Sequence, residues 1–494
     1  MSPTMPPART RMIPPLAFVA LLGGEAALAS DADLLLGLPA GPAAIDTEMD
    51  MTAGTEPLEP AEALEPPDAG LHTSLPDHPG GDLRFRIEGY STGYDRRTAF
   101  PAPPSDPSDS TSRLRAVVEG NLPLGERASF RLNAALNFTV DNDDDVTLED
   151  NLRLDLREAY LLFDASPFTF ELGRINIRNG TAAGFNPTDF FRAPDTERRP
   201  NLDPSEARLN RLGVVAARAG YLWESGAASL TYAPEITDGD DWLHDRDIWG
   251  LHLGSTNPEE RVLLSLTQTI VEGISPELFV LWEDDDTTLG LGVSASIGES
   301  WIVYGEWSRG PGLNLLDGAL TRVRDTGTLT PPLAAAFGDG DGEQDIDRVA
   351  LGFSYTSPGN LIATFEYHYN EAGFDEDGWD RYFDVAEDVE NNPWASGQLA
   401  LAPLRGALLQ EPLSRHSLFG RVVQNDAFPD TTLTAMAAMS LEDYSYSLQL
   451  EADYDVTERF ALSGRIGGSF GDKRTDYGSR SNKRFLSVGF EYHF

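Results

Sequence analysis

The chain has no cysteine and only two lysines, Lys473 and Lys483, among its 494 residues. Without thiols, a disulfide framework, cysteine-ligated zinc and thiol nucleophiles are excluded. All other basic residues are arginines, and 37 basic residues face 80 acidic ones, for a formal charge of −43. That balance excludes nucleic acid as a partner, because phosphate binding needs a basic footprint. Long apolar runs are also missing. Past residue 29, no segment approaches the roughly 18 consecutive apolar residues of a membrane helix. Helical spans are thereby excluded, but not strands, which cross a membrane on alternation alone. No phosphate loop, dinucleotide fingerprint or zinc spacing is present, and no cofactor is expected.

What is present begins with an export signal. Arg9 and Arg11 precede an apolar run from Ile13 to Leu22, and Ala27-Leu28-Ala29 forms a small-residue cleavage site. Residues 1–29 read as a secretory signal peptide. From Ser30 to Asp82 there are twelve acidic residues and no Lys or Arg, with Pro and Glu clustered between Glu56 and Pro67. Such a composition cannot bury enough apolar surface to offset its ordering entropy, so 30–82 is expected to be a disordered acidic leader.

From 83 to 494 the pattern changes to short segments of period 2. Strands are expected near 83–90, 113–122, 128–139, 150–163, 167–175, 207–222, 226–234, 261–270, 276–283, 288–297, 301–309, 346–356, 361–370, 413–425, 431–441, 444–455, 459–470 and 484–494. In the clearest, Tyr446, Leu448 and Leu450 oppose Ser447, Gln449 and Glu451. Tight turns such as Trp223-Glu224-Ser225-Gly226 and Ser357-Pro358-Gly359 alternate with long polar connections near 91–112, 176–206, 235–260, 310–345 and 371–412. Short turns at one end and long loops at the other are the pattern of a transmembrane antiparallel β-barrel. About eighteen strands are expected, with sixteen as the alternative because 235–260 and 272–287 are hard to phase. Aromatics near strand ends (Tyr90, Phe138, Tyr232, Trp282, Trp301, Trp307, Tyr355, Tyr454) suit interface girdles.

A barrel of this size leaves room for an aqueous lumen. The candidate lumen residues cluster between Asp150 and Gly220, where ten Arg meet ten acids and make the stretch neutral in a chain of −43. Arg153, Asp155 and Arg157 alternate with leucines and share one inward row. Glu171, Arg174, Arg178, Arg198, Arg199, Arg211 and Arg218 complete the set. Gly180, Gly184 and Pro187 allow the following loop to turn back sharply. Two readings stand side by side: a constriction whose charges select anionic or sugar-like solutes, and a salt-bridge ladder that braces the wall. The acidic clusters at Asp143-Asp144-Asp145, Asp238 to Asp247, Asp284-Asp285-Asp286, Asp339 to Asp347 and Asp375 to Glu390 fall in outer loops. Gly338 to Glu343 only loosely follows a calcium loop, with Gln344 at the sixth position where glycine is required, and no metal site is assigned. His368 beside Glu366 is an inward histidine without an assigned serine partner, so catalysis is not expected.

The last strand carries a resemblance. Leu486, Val488, Phe490, Tyr492 and Phe494 share one face, and Gly489, Tyr492 and Phe494 resemble the terminal signal that the assembly machinery of Gram-negative outer-membrane barrels reads. The region from Leu83 onward is similar to porin-like barrels. Leu152–Phe163 followed by Phe168 to Arg174, ending in Leu-Gly-Arg, resembles a strand pair of alginate-export-like barrels. That resemblance would place an Arg-lined pore at Arg153, Arg157 and Arg174, although the abundant acids depart from it. The expectation is an outer-membrane channel for passive diffusion of small hydrophilic solutes. The alternatives are an exopolysaccharide export pore and a plugged structural barrel anchoring a periplasmic partner. The expected partners are outer-membrane lipid and lipopolysaccharide, the barrel-assembly machinery, and solute or polysaccharide, with oligomerisation left open.

Overall fold

Alternation decides the architecture. Along 446–451, the apolar Tyr446, Leu448 and Leu450 lie on the outer surface while Ser447, Gln449 and Glu451 are buried. Leu450 is 59% exposed and Gln449 1%. The same inversion, apolar out and polar in, recurs from strand to strand: Leu172, Leu291, Leu351, Ile466 and Leu486 are exposed, and Thr169, Glu306, Glu366, Arg465 and Ser487 are buried. Such a surface suits a hydrocarbon solvent and a polar interior, as in a transmembrane barrel.

The computed structural model describes residues 82–103, 108–141, 151–192, 202–204, 208, 210–236, 251–271, 273–315, 342, 344–393, 395–397, 399–400 and 411–494. The expected signal peptide, nearly all of the leader, the acidic clusters at Asp143-Asp144-Asp145 and Asp238 to Asp247, the 338–343 stretch apart from Gly342, and Arg198 and Arg199 lie outside them. The strands are β1 (Asp82–Arg96), β2 (Ser110–Pro123), β3 (Ala128–Asp141), β4 (Leu152–Ala165), β5 (Phe168–Ile175), β6 (Val214–Trp223), β7 (Gly226–Ala233), β8 (Arg261–Gln268), β9 (Ile274–Glu283), β10 (Asp286–Ile297), β11 (Trp301–Gly312), β12 (Gln344–Thr356), β13 (Leu361–Asn370), β14 (His416–Phe428), β15 (Thr431–Ser440), β16 (Tyr446–Thr457), β17 (Phe460–Phe470) and β18 (Asn482–His493). Each pairs antiparallel with its neighbours in sequence, and β1 pairs β18, so the 18-stranded sheet closes on itself. Closure leaves no unpaired edge, which a strand protein in lipid requires.

Eighteen strands settle the count, because β8 and β9 pair as separate strands and β9 turns directly into β10. That last connection, Asp284-Asp285, lies at the long-loop end yet holds only two residues, with Asp284 at positive φ. Four expectations need correction. Of the acidic residues expected in outer loops, Asp345 and Asp347 belong to β12 and Asp286 opens β10. The strand expected at 207–222 starts at Val214, so Arg208 and Arg211 belong to the preceding loop. Tyr90, expected on the lipid-facing rim, is buried and pairs with Gly489 on the inner side. The loop expected at 371–412 contains the helix α1 (Glu376–Val389). Trp379, Tyr382, Phe383, Ala386 and Val389 fall on one helical face and pack with Phe100, Phe374, Leu399 and Leu413 in an apolar cluster at the long-loop end.

A β-bulge shapes the wall beside the candidate site. In the β3–β4 ladder Asn133 faces Glu158 and Ala134 faces Leu156, which leaves Arg157 unmatched. The extra residue shifts the parity of β4. Asp155 and Arg157 point inward before it; Tyr160 and Leu162 are buried after it, while Leu161 and Phe163 are exposed.

Candidate functional site: the β5–β6 loop in the lumen

The described residues of the β5–β6 connection, which runs from 176 to 213, lie inside the barrel rather than extended from its rim. Its apolar residues explain why. Ile177, Phe190 and Phe191 pack on Tyr160, Leu162, Ile175, Val214, Ala216, Ala233, Leu263, Phe279 and Leu281, a continuous patch on the inner wall from β4 to β9. Burial of these side chains holds the loop against that half of the barrel at roughly 1.5–3 kcal/mol for each large residue.

The loop has a charged core of its own. Asp189 accepts from Arg211 Nη1 at 2.7 Å and Nη2 at 3.1 Å, and from Arg208 Nε at 3.3 Å. Arg211 also donates to Asn176 Oδ1 at 2.8 Å and to the Ile177 carbonyl. Burial pushes the Asp189 carboxyl up, but the charges of Arg211 and Arg208 overcome it and hold the group below the ordinary carboxylate range. Arg211 is completely buried, so its ion pair fastens the two limbs of the loop together.

The loop tip reaches the opposite wall. The amides of Thr181 and Ala182 donate to Glu306 on β11, and those of Ala183 and Gly184 to Glu366 on β13. Thr188 Oγ1 also donates to Glu306, at 2.8 Å. Gly180 has φ 76, and a Cβ there would lie 2.6 Å from Glu306, so the turn admits only glycine without rearrangement. Further along, the Leu202 amide donates to Gln449 of β16 at 2.8 Å, and Arg421 of β14 pairs with Asp203 at 2.8 Å. From β5 to β14 is nine strands, half of the 18, so the loop spans the full width of the lumen.

The sequence-predicted residues take different places around this strut. Arg153 bonds Asp155 at 2.6 Å, and Asp155 also accepts from Asn137 at 2.6 Å. Arg157 is buried at the bulge, and its carbonyl accepts from the Gly213 amide. Arg218 approaches Glu171 at 3.5 Å. Arg174 donates to the carbonyls of Gly213 and Leu251 at 2.8 and 2.6 Å and is buried at the loop base. Arg178 is half-buried near the start of the loop. Gly489 is half-buried, and Tyr492 and Phe494 are exposed on the outer surface with their rings 5.0 Å apart. His368 bonds Glu366 at 2.7 Å and its ring packs on Phe185.

Sequence reasoning missed most of the other half of the site and singled out Glu366 only as the neighbour of His368. Asp189, Arg208, Asp203, Glu306, Glu366, Arg421 and Gln449 hold the loop, and the wall from β1 to β3 adds charges of its own. There Arg86 meets Glu88 at 2.5 Å and Glu119 at 3.1 Å, and Arg115 meets Glu88 at 2.9 Å. Inward charge at alternate positions, as in Arg113 and Arg115 or Arg86 and Glu88, was a usable signal for the wall. No local pattern says which wall acids a loop from β5 will meet.

The two halves of the lumen differ. Inward side chains under the loop, such as Ala233, Leu263 and Phe279, are fully buried. On the other side Arg153 keeps 28% of its side chain exposed and Glu119 33%, so solvent reaches that wall.

No family model and no curated protein matches the chain. Solved structures do. OccAB1 of Acinetobacter baumannii aligns with a TM-score of 0.51 at 9% identity, over 85% of this chain and 98% of that one. OccK5 (OpdH) of Pseudomonas aeruginosa gives 0.46 at 11% identity, over 84% and 98%. A triple mutant of the Rhodopseudomonas blastica porin gives 0.38 at 11% identity, over 84% and 100%. The likeness to OccAB1 is one of fold: a shared large antiparallel barrel.

Proposed function

We propose that the chain is a bacterial outer-membrane channel for passive diffusion of small hydrophilic solutes, constricted by the 176–213 loop. The observation that carries this reading is the asymmetry of the lumen, sealed by apolar packing from β4 to β9 and charged from β1 to β4, where Arg86, Glu119 and Arg153 keep part of their side chains exposed. The barrel shared with OccAB1 supports it at the level of fold alone. Exposed apolar residues around the barrel support a membrane setting. Export through a signal peptide at 1–29 and recognition of Gly489, Tyr492 and Phe494 by an assembly machinery belong to the same proposal. No catalytic role is assigned.

Of the solute classes, uncharged sugar-like molecules fit better than bare anions. Four arginines facing the lumen pair with carboxylates: Arg115 with Glu88, Arg153 with Asp155, Arg421 with Asp203, Arg465 with Glu451. Paired charges offer donors and acceptors side by side, which suits hydroxyl groups, and a chain of −43 repels anions at long range. The export-pore reading rests on Arg153, Arg157 and Arg174, and the latter two are buried, which weakens it. The plugged-barrel reading draws on the same crossing loop. Swelling of proteoliposomes in isotonic sugars separates them. Swelling with mono- and disaccharides, together with a small reversal potential in a salt gradient, is the expected result. Folded protein that passes neither sugar nor ion would leave the plugged anchor.

A further inference from the structure

Four consecutive amides, Thr181 to Gly184, point at two carboxylates on alternate strands. Glu306 Oε1 accepts from Thr181 and Ala182, and Oε2 from the Thr188 hydroxyl. Glu366 Oε1 accepts from Ala183 at 2.5 Å and from the Tyr304 hydroxyl at 2.5 Å; Oε2 accepts from Gly184 and, at 2.7 Å, from His368 Nε2. Both carboxylates are buried, and the space is closed: a Cβ on Gly184 would fall 2.1 Å from the His368 ring, and one on Gly352 of β12 2.7 Å from Glu366. Successive amides form a concavity for negative charge. Apart from these bonds segment 180–188 touches this wall through a small apolar contact of Ala182 with Tyr304 and Ala350 and through the Phe185 ring, edge-on to His368 at 5.9 Å.

We propose that Glu306 and Glu366 are the positioning residues of the constriction, and that acid releases them. The inference rests on the channel reading above. Backbone amides cannot accept a proton, and a bond to a neutral carboxyl has about half the strength of one to a carboxylate. Protonation therefore weakens the four amide bonds together. The charged groups facing the clasp are Tyr304 and Glu306 on β11, Glu366 and His368 on β13, Glu277 on β9 and Arg208 of the loop itself. β12 contributes only Ala350 and Gly352. The segment 180–188 would then leave the β11–β13 wall while the Asp189–Arg211 pair holds the loop base, and the pore would widen.

The test is the unitary conductance of the full-length protein in planar bilayers as pH is lowered from about 7 to about 4.5, a range that approaches ordinary carboxylate titration. A rise of about twofold or more is expected, since conductance follows the open cross-section. The chain has no cysteine, so Ala182→Cys with Ala350→Cys can be oxidised without background, and that crosslink should abolish the rise. Glu306→Gln with Glu366→Gln should conduct at the higher level already at neutral pH. Trypsin should also cut that variant after Arg178 while sparing the unaltered protein, a readout independent of current. Equal conductance at both pH values overturns the clasp. So does a pH step that persists in the double Gln variant, because another group would then govern it. A folded barrel silent at every pH overturns the channel reading instead, and the protease arm still reports on the clasp.

Discussion

Two long loops leave the same end of this barrel and take opposite courses. The 176–213 loop enters the lumen and is ordered by charge, with Asp189 and Arg211 buried at its centre and its amides spent on wall carboxylates. The described residues of the 371–415 loop stay at the mouth and are ordered by an apolar core, with α1 laying Trp379, Tyr382 and Phe383 onto Phe100 and Phe374. The first lies on the β4–β9 wall by apolar area, but its core and tip are fastened at points that depend on ionisation. The other is fastened by area, which is insensitive to pH and salt. A lumen partition that must admit water cannot be built from an apolar core on its open side, whereas a cap can.

The largest effect should follow from breaking the charged core. Asp189→Ala leaves Arg211 and Arg208 buried without their partner, at a cost of about 3–5 kcal/mol. Tryptic cutting of the loop at neutral pH, with barrel folding monitored by heat-modifiable gel mobility, should show the loss. The sign of its pH dependence is fixed by the lowered pKa of Asp189. Its stabilisation is present above the ordinary carboxylate value, about 4, and is lost only as pH falls through the lower folded value. The loop base around Ile177, Asp189 and Arg211 should therefore stay protected from hydrogen exchange at moderately acid pH in the unaltered protein.

Breaking the apolar cap should cost somewhat less and remain local. Phe383→Ala removes the ring stacked on Trp379 at 5.4 Å and on Phe100 at 5.9 Å, and about 3 kcal/mol is expected. Hydrogen exchange in 374–393 should rise while the strands keep their protection, and the effect should be the same at neutral and acid pH. If the strands lose protection too, the cap is part of the barrel's cooperative unit and the contrast fails. A smaller effect, about 1 kcal/mol, is expected for Asp375→Ala, which removes the N-cap bond to the Gly378 amide at 2.8 Å. Arg474→Ala should change least, a few tenths of a kcal/mol, about what exposed pairs contribute, because its bonds to Asp384 and Glu387 are solvent-exposed and screened by salt.

The barrel was legible because each strand carries its own instructions. Leu448, Leu450 and Tyr446 against Ser447, Gln449 and Glu451 specify a face without reference to any other residue. The inward course of the 176–213 loop was half legible: its arginines and glycines stood out, but Glu306 and Glu366, more than a hundred residues away, did not. Contacts between a loop and the far wall are set by closure of the whole sheet, which no window of sequence contains. Helix α1 was legible and overlooked. Trp379, Tyr382, Phe383, Ala386 and Val389 follow helical spacing behind the capping Asp375, but the acids among them, such as Asp380, Asp384 and Glu387, gave the stretch the composition of a solvated loop. The bulge at Arg157 left no mark beyond two adjacent charged residues, because parity is a property of the pairing with β3.

The central claim is that the 176–213 loop constricts an aqueous lumen. It is tested most directly by comparing the unitary conductance of the full chain with that of a chain in which residues 180–210 are replaced by a short Gly-Ser link, both verified as folded barrels. The crossing strut predicts a severalfold higher conductance in the shortened chain, with the salt-gradient reversal potential moving towards zero. Equal conductance in the two would contradict it.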